Sequence, residues 1–129
     1  MGLYKPGEPV SLEEGFRDPP AISRLQGWWQ LHGSAVSKKE ITRHLEAFAD
    51  KGLGGVGIKD TYNMPRDEAT RHIEDIDFMS GEWLDMYAHI AAECRRLGLI
   101  CWVWLGSGWA AGGPWITPEM SVQGLTFAA

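Results

Sequence analysis

Three things are scarce in these 129 residues: cysteine, long apolar runs and cationic charge. The two cysteines, Cys94 and Cys101, fall short of the framework that staples a small disulfide-rich domain. Both are expected to be plain core residues, one on a helix and one on a strand. No stretch approaches the about 18 consecutive apolar residues of a membrane span. The opening residues, Met1 to Gly7, lack the apolar core of a secretory signal. No membrane partner is therefore expected. The cytoplasm is the default location, with secretion or a periplasmic site left open for a full-length protein. The net charge is −5. That leaves no basic face for phosphates, and nucleic acid is not expected as a partner.

What is present is ordinary in bulk and unusual in one respect. Hydrophobic residues make up 44% and charged residues 22%, a globular balance sufficient for one domain with a core. Seven tryptophans are clustered rather than spread: Trp28, Trp29, Trp83, Trp102, Trp104, Trp109 and Trp115. Such rings fill cores, and their faces also stack on sugars.

Residues 1–24 carry four of the seven prolines and little periodicity. They read as an N-terminal arm, with Phe16-Arg17-Asp18-Pro19-Pro20 as the part that would dock. Residues 25–129 read as the folded portion. Gly27-Trp28-Trp29-Gln30-Leu31 is a first strand. Ser37 and Glu40 then stand at capping-box spacing, and Ile41, Leu45, Phe48 and Ala49 share one helical face. Gly52 stops that helix. The apolar run Gly54 to Ile58 lacks polar alternation, as suits a strand covered on both sides. Its glycines suggest close backbone approach.

Residues 59–79 read as a long polar loop, a length that is uncommon without a function. A second helix starts near Ser80, with Trp83, Leu84, Tyr87, Ile90, Ala91, Cys94 and Leu97 as its apolar stripe. Arg95 and Arg96 suit its last turn, and Gly98 ends it. Leu99 to Leu105 is the strongest strand pattern, and at least one of Trp102 and Trp104 should be core. Thr117-Pro118-Glu119 resembles the start of a third helix. Residues 125–129 look strand-like.

The stopping glycines, Gly52 and Gly98, lie 46 residues apart in matching contexts. This marks an internal βα repeat. Alternating strands and helices imply a parallel sheet with right-handed crossovers. The fold class expected is α/β, the first three β/α units of a (β/α)8 barrel. A whole barrel typically takes about 250 residues, so the expectation is of an incomplete one.

In such architectures chemistry gathers at the carboxyl ends of strands. The first strand delivers Gln30 and His32, and the second delivers Lys59 and Asp60. The third opens into the glycine-rich loop 106–115 with Ser107, Trp109 and Trp115. Candidate substrate contacts are therefore Gln30, His32, Asp60, Ser107, Trp109 and Trp115. Asp60 could serve a sugar hydroxyl, a metal or a proton, or simply cap a turn. Trp109 and Trp115 suit stacking on a sugar, though Trp115 could equally pack beneath its loop. His44, His72 and His89 have no metal-ligand spacing and read as structural. The loop has no Lys-Ser/Thr after its last glycine, so it is no Walker phosphate cradle. No catalytic constellation and no metal site emerges from spacing alone.

A resemblance then gathers these pieces. Phe16 to Pro20, Trp28-Trp29, Val36-Ser37-Lys38 with Ile41, Gly52 to Val56, and Phe78-Met79-Ser80 with Glu82-Trp83 are similar, in order, to the α-L-rhamnosidase-like glycoside hydrolases of family 106. So are Gly108-Trp109 and Gly112-Gly113-Pro114-Trp115-Ile116-Thr117-Pro118-Glu119, the most specific stretch. The resemblance implies a (β/α)8 catalytic barrel within a larger multidomain protein. It also implies hydrolysis of rhamnosides in polysaccharides by inversion, and a bound calcium ion. The family's catalytic carboxylates fall downstream of the matched region, so none is assigned here.

Three readings follow. The chain is the N-terminal part of such a hydrolase, inactive alone and prone to self-association through open sheet edges. Alternatively it is a non-catalytic carbohydrate-binding or interaction module. The third reading is a small, complete, doubly wound domain.

Overall fold

A computed structural model describes residues 11–33, 36–62, 68, 71–106, 108, 116–121 and 123–124. Its elements, in chain order, are α1 (Leu12–Arg17), β1 (Gln26–His32), α2 (Lys38–Asp50), β2 (Gly55–Thr61), α3 (Gly81–Leu97) and β3 (Ile100–Val103). The three strands form one parallel sheet in the order β1-β2-β3. The expected α/β class with a parallel sheet is what the chain adopts. No helix among the described residues is long and apolar enough to cross a membrane.

The helices start and stop where the sequence marks them. The Glu40 amide donates to Ser37 Oγ, and the Trp83 amide donates to Ser80 Oγ. Each cap satisfies one of the amides that a helix N-terminus leaves open. At the other end Gly52 and Gly98 take φ values of +80° and +68°, the left-handed region that glycine enters at little cost. Leu53 then donates to the Phe48 carbonyl and Leu99 to that of Cys94. Both helices end in the same six-to-one bond, and each hands the chain to a strand.

The core lies between the sheet and the two long helices. Leu31, Val56 and Ile58 meet Ile41, Leu45, Met86, Ile90 and Cys94 there. Burying each large aliphatic side chain is worth about 1.5–3 kcal/mol. Cys94 is buried and Cys101 packs against the same cluster, both as free thiols, as expected. Along the outer seam between α2 and α3, Lys38 pairs with Asp85, Thr42 with His89, and Glu46 with Arg96. His89 is thus tied into the helix seam, and the His44 ring packs against Trp29 and Phe48.

Several expectations change. Part of the arm is helical: α1 is capped by Ser11, which accepts from the Glu14 amide and donates to the Glu14 carboxylate. Phe16 does not dock. Leu12 and Phe16, one turn apart, are 94% and 92% exposed. Contact with the sheet comes instead from a 3-10 turn at Ala21–Ser23. A Cβ on Gly54 would stand 1.8 Å from the Ala21 carbonyl oxygen, so only glycine fits beneath that turn. β2 continues three residues past its expected end at Ile58, which takes Lys59 and Asp60 out of the loop. β3 ends at Val103 rather than at Leu105. Near Thr117 there is only a 3-10 turn, Pro118–Met120. The strand-like residues 125–129 lie outside the described residues.

Candidate functional site at the open face of the sheet

Side chains alternate across a strand, and the parallel register aligns that alternation over the three strands. Trp29, Leu31, Val56, Ile58, Cys101 and Val103 belong to the helix-side core. Trp28, Gly57 and Trp102 are register partners and belong to the opposite face. Among the described residues no helix covers that face.

The open face is aromatic at its centre and polar toward its carboxyl end. Trp28, Trp102 and Trp104 are 54%, 38% and 39% exposed. The Trp28 ring sits edge-on to Trp102 at 5.9 Å and tilted to Trp104 at 6.3 Å. Trp102 Nε1 donates to Gln26 Oε1 at 3.1 Å. Gly57 makes room for this, because a Cβ there would lie 1.9 Å from the Trp102 ring. The close approach expected at these glycines is real.

At the carboxyl end Gln30 stands opposite Lys59 and His32 opposite Thr61. Gln30 Nε2 donates to Thr61 Oγ1 at 3.2 Å, and Thr61 Oγ1 donates to the Leu31 carbonyl. Lys59 is buried. Its ammonium donates to the Gly108 carbonyl and lies 4.4 Å from the Trp104 ring centre. It therefore ties the exit of β3 to the end of β2, using a carbonyl and a π face as partners. These open-face strand positions hold no carboxylate.

Asp60 belongs to the other side. It is fully buried, and its Oδ2 accepts from Trp83 Nε1 at 2.6 Å and from the Tyr87 hydroxyl at 2.8 Å. Both donors come from α3, whose cap at Ser80 sets where they fall. Gln30 and His32 are brought together with Lys59 and Thr61, while Asp60 is separated from them by the sheet. Ser107, Trp109 and Trp115 lie outside the described residues. The sequence places Lys59 with Asp60 at the end of the second strand and does not single out Thr61. The period of two would have put Lys59 and Thr61 on Gln30's side once the strand was extended.

A return segment closes the rim. Gly33, at φ +63°, donates to the Thr61 carbonyl and accepts from the Ile76 amide. The Tyr62 hydroxyl donates to the Ile76 carbonyl at 2.7 Å. Phe78 packs edge-on between Tyr62 and Trp83. Among the described residues no three His, Cys, Asp or Glu side chains converge as metal ligands.

Residues 17–129 match the family profile described as alpha-L-rhamnosidase, glycoside hydrolase family 106. The chain belongs to that family. A Formosa agariphila protein provisionally named a beta-glucuronidase is 34% identical over 122 residues, covering 94% of this chain and 10% of that protein. The solved structure of a rhamnosidase from Novosphingobium sp. PP1Y superposes with a TM-score of 0.71 at 34% identity, covering 87% of this chain and 10% of that one. The chain thus spans about a tenth of the length of both relatives.

Proposed function

We propose that this chain forms the first three β/α units of a (β/α)8 glycoside hydrolase barrel, with its open sheet face turned toward the barrel axis. Completed by further units, the barrel would hydrolyse O-glycosidic bonds in rhamnose-containing polysaccharides. The observation that carries this reading is the one-sided sheet. Helices cover one face, while the other bears three half-exposed tryptophans and a polar carboxyl-end rim. The family membership and the tenfold longer relatives support it. On the same reading residues 1–24 are an arm and 25–129 the partial barrel. Gln30 and His32 on the rim, with Ser107, Trp109 and Trp115 from the third loop, contact sugar. The calcium of the complete enzyme is held by other parts of the barrel.

The chain alone is then inactive. Inversion requires two carboxylates about 6.5–9.5 Å apart across the scissile bond, and the open-face strand positions supply none. Incubation with an aryl α-L-rhamnoside, in parallel with an aryl β-glucuronide and with calcium present, should give no turnover. Release of the aryl group by the purified chain would overturn the proposal. The outer edges of β1 and β3 should also make the chain associate, which sedimentation as a function of concentration checks.

A second reading, a non-catalytic sugar-binding module, is favoured by the exposure of Trp28, Trp102 and Trp104, whose faces suit sugar stacking. Calorimetry with rhamnose-containing oligosaccharides separates the two. Heat of binding without hydrolysis supports the module.

A further inference from the structure

We propose that Asp60 is a positioning residue: it holds the return segment Ile76–Ser80 against the carboxyl ends of β1 and β2 without itself reaching the open face. The functional value of this hold rests on the sugar-side reading of the rim; the hold itself does not. Asp60 is the penultimate residue of β2 and points into the helix layer. One of its oxygens takes both an indole N–H at 2.6 Å and a phenol O–H at 2.8 Å. Hydrogen bonds strengthen away from water, and here two donors share one buried acceptor. The two donors are themselves stacked, with Trp83 and Tyr87 rings 3.9 Å apart and 23° from parallel. The carboxylate therefore fixes a pair of rings as one body.

That body extends toward the rim. Phe78 packs on Trp83 with centroids 5.2 Å apart, and Tyr62 packs on Phe78 at 6.1 Å. Tyr62 follows β2 directly, and its hydroxyl holds the Ile76 carbonyl. The Ile76 amide in turn donates to the Gly33 carbonyl at 2.8 Å, one residue beyond His32. An unbroken set of contacts thus runs from Asp60, on the helix side, to the end of β1, where Gln30 and His32 open onto the other side. The sequence makes Asp60 a candidate ligand; the geometry makes it the anchor of the wall beside the ligands.

The test is amide hydrogen exchange on the whole chain, read at Ile76, with Ile41 and Leu45 as controls in the remote core. Tyr87→Phe removes one donor and leaves the ring. We expect exchange at Ile76 to rise about tenfold, the size of one net hydrogen bond. The controls should hold, and the Trp83 indole N–H resonance should move. Asp60→Asn should do the same more strongly. If Asp60→Asn does not fold, Tyr87→Phe decides alone. Unchanged exchange at Ile76 in the variants that fold overturns the proposal. Calorimetry with rhamnose-containing oligosaccharides tests the sugar reading separately, and whichever way it falls the exchange at Ile76 decides the role of Asp60.

Discussion

The Trp102 indole lies across the backbone of Gly57, where a Cβ would come within 1.9 Å of the ring. The pair sits at the centre of the open face, between Trp28 and the hydrogen bond from Trp102 to Gln26. Gly57→Ala should push the indole out of place and destabilise the chain by about 1–3 kcal/mol, the usual cost of overpacking. Urea unfolding would register this as a lower midpoint at unchanged slope. Trp102→Ala should remove most of the penalty, so the double variant should cost less than the two singles together.

The second prediction concerns the caps. Ser80→Ala leaves the Trp83 amide without its side-chain acceptor and should cost about 1 kcal/mol. In a chain of this size that is a fall of roughly 4 °C in the thermal midpoint. Ser80→Asp should keep the bond and favour the helix dipole. If Ser80→Ala melts like the parent chain, the cap contributes nothing to stability.

A third prediction comes from the two thiols. The Cys94 side chain donates to Cys101, which pulls the Cys101 thiol below its ordinary value against the opposing effect of burial. The same hydrogen bond, joined by burial, pushes the Cys94 thiol far up. Thiolates, not thiols, react with alkylating agents. Cys101 should therefore be modified by iodoacetamide well before Cys94. Cys94→Ala removes the donor, so the rate profile of Cys101 should move to higher pH. Peptide mass mapping across a pH series reads both effects. Faster labelling of Cys94 would contradict the arrangement.

Much of the fold was legible because its punctuation is local. Ser37, Ser80, Gly52 and Gly98 act within one helical turn, and the structure uses each of them as the sequence suggests, while the Glu40 carboxylate pairs with Arg43 instead of closing a capping box. Ser11 and Glu14 carry the same signal for α1, hidden among prolines on either side. The end of β2 was not legible, because its last three residues are polar and strands covered on both sides are usually read as apolar runs. Lys59, Asp60 and Thr61 are buried only because Gly108, Trp83, Tyr87 and Leu31 receive them, and those partners come from other parts of the chain.

The candidate site shows the same division. Gln30 and His32 share a parity, so their common face follows from β1 alone. Asp60 stands one residue out of phase with the positions that join them, Lys59 and Thr61. A shift of a single residue in a strand moves a side chain through the sheet, and only the register with β1 reveals on which side each lies. Trp102 and Trp104 likewise share the open face, with Cys101 and Val103 on the helix side.

The matching left-handed glycines at Gly52 and Gly98 bear on how the chain comes to be folded at all. Each closes a helix and launches a strand that pairs with the strand already made, so spatial order in the sheet repeats the order of synthesis. A newly emerged unit always finds its template waiting and never has to be held for a later one. Pairing each strand with its neighbour in sequence keeps the closed loops at 29 and 45 residues, shorter than pairing the first strand with the third would require. The molecule can thus be assembled as it leaves the ribosome, one strand-and-helix unit at a time.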